Sequence, residues 1–170
     1  MPEPDLPLLN IFEVQDGGKT RHLVGFLDTI LAGAIGIPSH AMVGDFDPDG
    51  QGEFDPQTFR LNPEFVTAVT AYMNGGPSLD PGIAEQAAAI PGQWLYVVDP
   101  RNTTDPEEDP PPADVLGCYA VDEAGQVVPK SFQYNKNHRW FDPEAGVSGM
   151  LFDRRFYEFV HPRAARQGRA

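Results

Sequence analysis

Apolar residues follow two different rhythms along this chain, and the rhythm changes near Gln93. Before that point steps of three and four predominate. From Thr20 the positions Leu23, Leu27, Ile30, Leu31 and Ala34 predict an amphipathic helix, which Gly33, Gly36 and Pro38 bring to an end. Asn62-Pro63-Glu64 reads as a helix start, an N-cap followed by proline at the first helical position. Phe65, Val66, Val69, Tyr72 and Met73 supply the buried face of that helix, and Gly75-Gly76 its end. Asp80-Pro81 gives the same signal for a shorter helix carrying Ile83, Ala84, Ala87 and Ile90. Ahead of these, Leu8 to Val14 is apolar enough for a strand closed by Gly17-Gly18, and residues 44–58 read as turn chemistry throughout.

Beyond Gln93 the pattern turns β-branched and aromatic. Trp94, Leu95, Tyr96, Val97 and Val98 predict a central strand. Val115 to Val121 and Gln126 to Tyr134 predict a hairpin around Glu123-Ala124-Gly125, with Pro129 marking an edge or a bulge in its second arm. A last helix runs from Asp153 to His161 with Phe156, Phe159 and Val160 inward, followed by a frayed basic tail over 163–170. Helices and strands do not alternate. The prediction is therefore an α+β fold, a single domain over 1–162, with a mainly antiparallel sheet including a hairpin in the C-terminal half, packed against three to four helices. Alternation gives Trp94, Tyr96 and Val98 a common face of their strand and Leu116 and Cys118 a common face of theirs, so these are expected to share a core with at least one of Phe156 and Phe159. No internal repeat is evident, since the seven Asp-Pro pairs fall at irregular intervals and suit turns or helix starts.

Composition narrows the possible partners. The chain of 170 residues has room for one domain and can build a core without disulfides or metal. Its net charge of −13, from 25 acidic and 12 basic residues, disfavours general binding to nucleic acid or to an anionic membrane. Most of the acid precedes Lys130, while residues 130–170 carry more bases than acids. Such asymmetry suits an acidic face that steers a basic protein surface toward it. Cys118 is the only cysteine, so neither an intramolecular disulfide nor a cysteine zinc site can form, and its neighbours predict a buried strand. Met1-Pro2-Glu3-Pro4-Asp5 lacks the basic and apolar regions of a signal peptide, and the apolar stretch from Leu23 to Ile37 is too broken to span a bilayer. A cytoplasmic location is expected, with the oligomeric state left open.

Three segments concentrate polar chemistry. Asp45, Asp47 and Asp49 alternate before Gly50 and Glu53, as in a calcium loop that gathers oxygens around a hard cation. The bidentate position of an EF-hand falls on Pro56, so only a looser calcium loop remains, against the alternative of an acidic turn bonding its own backbone. Lys136, His138, Arg139 and Trp140 gather cationic donors and an aromatic ring, a mixture able to grip an anion or a protein partner. The plainer alternative keeps Trp140 in the core and Lys136 and Arg139 in water. Glu107, Glu108 and Asp109 sit in a Pro-rich loop long enough to be functional, and are the natural partner-binding carboxylates.

Catalytic patterns are weak. Gly146-Val147-Ser148-Gly149-Met150 imitates a nucleophile elbow but ends on Met150, and a Ser148-His138-Asp142 set could be drawn from almost any chain of this length. No catalytic residue and no cofactor is assigned. The expectation is a non-enzymatic acidic protein-interaction domain of adaptor, guard or immunity type. The rivals are a small enzyme or ligand-binding protein with an anion pocket at Lys136, His138 and Arg139, and a calcium-stabilised module using Asp45 to Glu53.

Overall fold

A computed structural model describes residues 10–26 and 39–160. Leu8, the positions Leu27 to Ala34 of the first expected helix, His161 and the basic tail lie outside the described residues. The secondary structure is mixed, with antiparallel sheets and three α-helices among the described residues. The chain divides into two compact units, residues 1–68 with 150–170, and residues 69–149.

The first unit holds a four-stranded antiparallel sheet in the order β1-β2-β3-β4, from Asn10–Asp16, Lys19–Gly25, Met42–Phe46 and Arg60–Leu61. Gly17 and Gly18 join the first two strands at φ +56° and +84°, the paired positive angles of a two-residue hairpin turn whose twist matches the strands. Lys19–Gly25 is thus a strand where the spacing predicted a helix beginning at Thr20. It pairs on both sides and buries Leu23 and Val24 on opposite faces, so it reads as a continuous apolar run rather than a simple alternation. Residues 44–46, expected as turn, belong to β3. Helix α1, Pro63–Met73, starts at Asn62, whose Oδ1 accepts the Glu64 amide at 3.2 Å. A last helix, Arg154–Val160, is capped by Asp153, and its Phe156 meets Phe26 and Phe65 with ring centres 5.7 Å from each.

The second unit carries α2 over Pro81–Ala88, capped by Asp80 as expected, and a three-stranded antiparallel sheet. Its strands β5, β6 and β7 are Trp94–Val98, Val115–Ala120 and Gln133–Tyr134, with a small β8–β9 pair at Phe141–Asp142 and Gly146–Val147. The expected turn forms where Gly125 adopts φ +76°, but the second arm leaves the ladder after Val128 and rejoins it only at Gln133. Two expectations about the core fail here. Strand β5 is at the sheet edge, not the centre, and Trp94, Tyr96 and Val98 are exposed at 49%, 61% and 37%. Leu116 is fully buried as expected, and Leu95 and Tyr119 are buried with it, while Cys118 is only half-buried and Phe159 is 48% exposed. Ala84 is exposed too, so α2 buries little beyond Ala87.

The sequence also contains a repeat that its side chains conceal. Strands β2-β3-β4 and β5-β6-β7 follow the same plan at a constant offset of 73 residues, as from Gly44 to Gly117 and from Asn62 to Asn135. The pairing His22↔Phe46, Leu23↔Asp45, Val24↔Gly44 recurs as Leu95↔Tyr119, Tyr96↔Cys118, Val97↔Gly117, and each ladder then shifts register at the next residue. In both copies a middle-strand glycine lies under the next strand. A Cβ on Gly44 would stand 2.1 Å from the Arg60 carbonyl oxygen, and one on Gly117 would stand 2.3 Å from that of Gln133. Asn62 Nδ2 donates to the Ser39 and Met42 carbonyls, and Asn135 Nδ2 donates to those of Pro112 and Val115. Asp49 Oδ1 accepts from the Gln51 and Glu53 amides, as Asp122 Oδ1 does from those of Ala124 and Gln126. Pro56 and Pro129, Phe59 and Phe132, Gly52 and Gly125, and Val24 and Val97 are further identities within this shared plan.

Candidate functional site

The two copies differ most in what borders their first strand. In the first, β1 lies along β2 and carries Phe12 over Leu23 in a small apolar cluster that Val14 and Met42 join. In the second, the positions that would correspond to β1 fall in helix α2, and among the described residues β5 pairs with β6 alone. Tyr96 occupies the place of Leu23 and Trp94 that of Arg21. With no strand beside them among the described residues, their rings are exposed. Gln93 accepts from the Val121 amide, and the ladder alternates from there, so the backbone groups of Leu95 and Val97 face β6. Those of Trp94 and Tyr96 therefore point to the open edge.

Carboxylates stand beside the start of this strand and occur again in the loop that follows it. At the start of β5 the Gly92 amide donates to the Asp122 carbonyl at 2.8 Å, bringing the exposed Asp122 and Glu123 beside it. At its end the chain enters the loop from Asp99 to Ala113, where Glu107, Glu108 and Asp109 are all exposed.

The base of that loop is tied by buried polar groups. Asp99 is fully enclosed, and its Oδ2 accepts from His138 Nε2 at 2.8 Å and from the Ser148 hydroxyl. Its Oδ1 accepts from the Gly149 amide at 2.8 Å and the Arg101 amide at 3.1 Å. Burial pushes the Asp99 carboxyl upward, but the hydrogen bonds from His138, Ser148 and the two amides outweigh it and hold the group at about 2. Arg101, whose side chain is largely enclosed, reaches Asp114 at 2.9 Å and the carbonyls of Ala113 and Gly146. The loop is thereby fixed where it leaves and where it returns. Sequence reasoning took Asp99 for an ordinary turn residue; its place directly after an apolar strand was the available signal.

This geometry separates the residues of the basic segment. His138 is buried against Asp99 and meets the Trp140 ring edge-on at 4.8 Å. Trp140 is buried and donates to the Tyr134 hydroxyl at 2.8 Å. Lys136 and Arg139 are exposed, Arg139 lying 3.6 Å from Asp142. Ser148 and His138 do come together, but through Asp99 rather than Asp142. Both donate to one carboxylate oxygen, which leaves His138 Nε2 unavailable to take a proton from the serine, while Nδ1 has no partner.

The aspartate segment lies on the first copy. Arg60 makes paired hydrogen bonds to both Asp45 and Asp47, at 3.1 to 3.3 Å, and Arg21 stands 3.6 Å from Asp45. The Arg60 side chain holds the Asp47 carboxyl below its ordinary range, and backbone amides from Glu53 and Gln51 do the same for Asp49. Glu53 lends Asp49 its amide through the turn. Among the described residues no group of three or more His, Cys, Asp or Glu side chains is arranged to hold a metal ion. Beside this cluster a cavity of about 270 Å³ is lined by Arg21, Leu23, Asp45, Arg60 and Asn62, among others. In the second copy the places of Arg21, Asp45 and Arg60 are taken by Trp94, Cys118 and Gln133, so one scaffold presents charge where the other presents aromatic surface.

No helix among the described residues is long and apolar enough to cross a membrane. Comparison with protein families, with curated proteins and with solved structures finds no match to this chain.

Proposed function

We propose that this chain is a non-enzymatic protein-interaction module, of adaptor, guard or immunity type, that works in the cytoplasm by binding a basic protein surface. The observation that carries this reading is the exposed face of Trp94, Tyr96 and Val98 on a strand that begins beside exposed carboxylates and leads into an acidic loop. Aromatic side chains bury large area at low entropic cost and are the usual anchors of protein interfaces. Their π-faces also attract Lys and Arg, and the loop residues Glu107, Glu108 and Asp109 add long-range attraction for the same partner. Tying the loop base through Asp99 and Arg101 supports this reading, because a fixed base lowers the ordering cost of binding.

Affinity capture from the native cell should recover a basic protein with the unmodified chain. Capture should fail with Trp94→Ser/Tyr96→Ser, and should weaken with Glu107→Gln/Glu108→Gln/Asp109→Asn in a manner that added salt imitates. A partner held equally by all three proteins would refute the assignment.

A further inference from the structure

The repeat indicates how the partner is held. We infer that β5 is an open strand slot, and that the partner docks by adding an extended, basic and apolar segment antiparallel to Trp94–Val98. This inference rests on the interaction reading above and specifies its mode.

The first copy shows the slot filled. Strand β1 pairs antiparallel with β2, Phe12 opposite Leu23 and Val14 opposite Arg21, and the two-residue turn makes these the hydrogen-bonded pairs. At the offset of 73 residues, Leu23 and Arg21 become Tyr96 and Trp94, whose backbone groups point the same way and meet no strand among the described residues. The first copy thus demonstrates on this same scaffold that the edge accepts a strand in that register. β5 also lacks the usual guards of an edge, having neither a charge nor a proline between Trp94 and Val98.

Chemistry selects the occupant. Residues opposite Trp94 and Tyr96 must be apolar, as Phe12 and Val14 are in the filled slot. Asp122 and Glu123 stand beside the start of the strand, and the loop that follows it adds Glu107, Glu108 and Asp109 to a negative field that selects lysine or arginine at the alternate residues. A second copy of this chain is the wrong partner, because two such acidic edges would repel. Strand addition supplies main-chain hydrogen bonds, while the alternating side chains confer specificity.

The test uses a synthetic peptide alternating lysine and valine, long enough to run the length of β5, and a second peptide of the same sequence methylated on its amide nitrogens. The first should bind and slow hydrogen exchange at the Trp94 and Tyr96 amides. The second should bind about tenfold more weakly or worse, since it cannot donate to the edge. Within the protein, Tyr96→Pro removes an outward amide and Tyr96→Val keeps it, so the proline variant should lose more affinity than the valine one. Equal binding of the two peptides, or exchange at both amides unchanged with peptide bound, would overturn strand addition. So would self-association of the native chain through β5. Failure of the lysine–valine peptide would also overturn it, and capture would then locate the fault. A partner still lost from Trp94→Ser/Tyr96→Ser leaves the interaction reading standing, while one that is retained removes both.

Discussion

The two copies of the β-β-β plan show which parts of a scaffold are obligatory and which are free to change. Both keep the glycine beneath the crossing strand, the asparagine that bridges two carbonyls, and the aspartate that closes the turn. These are backbone tasks, and few side chains perform them. The phenylalanine over that glycine, Phe59 or Phe132, is kept, while the contacts made at the strand end and the first helical turn have diverged. Phe26 and Phe65, with ring centres 5.9 Å apart in the first copy, correspond to Asp99 and His138, hydrogen-bonded at 2.8 Å in the second. Equivalent positions can therefore close a core through dispersion or through a buried polar network centred on one carboxylate.

Breaking that pair of solutions should give the largest effects. Phe156→Ala removes a fully buried ring from Phe26 and Phe65 and should cost about 3–5 kcal/mol, read from the denaturant midpoint. Asp99→Ala should cost on the order of 3 kcal/mol, because it strands His138, Ser148 and two amides without a partner.

A pH titration sharpens the contrast without changing a side chain. The native Asp99 carboxyl lies at about 2, below its unfolded value near 4. Its contribution is thus fully present above about pH 4 and is lost as pH falls toward 2, a loss on the order of 2 kcal/mol. Asp99→Asn should remove that component of the acid sensitivity, visible in melting curves collected across the window.

Smaller effects test the shared plan itself. Gly44→Ala and Gly117→Ala should each cost about 1–3 kcal/mol and separate the crossing strands. Asn62→Ala and Asn135→Ala should cost about 1–2 kcal/mol each and resemble one another; widely unequal losses would show that the copies use the bridging amide differently. Smallest of all, Glu107→Gln/Glu108→Gln/Asp109→Asn should leave stability within about 0.5 kcal/mol, as for ordinary exposed positions.

Local signals survived from sequence to structure where they concern helix starts and turns. Asn62-Pro63 and Asp80-Pro81 open helices as read, Asp153 caps the last helix, and Gly125 turns the hairpin. What failed depended on pairing partners distant in sequence. The Leu23 spacing suggested a helix because its strand is covered on both faces. β5 looked central because aromatic and β-branched residues mark a strand without saying which side has a neighbour. The repeat is faint in the sequence because its identities are mostly scattered small and turn residues, while two buried positions differ as Phe against Asp and His. His138 was singled out among the candidate residues, but only the fold could show that it points inward to Asp99.

The Gly17-Gly18 link bears on the order in which the chain assembles. Both copies offer outward amides to an incoming strand, so a newly made β1 meets no backbone reason to prefer one over the other. Proximity decides. Two residues separate β1 from β2, and a hairpin of that kind closes in about 1–10 μs, before slower, longer-range pairings can compete. The first edge is thus covered by its own strand before any longer-range pairing can compete for it.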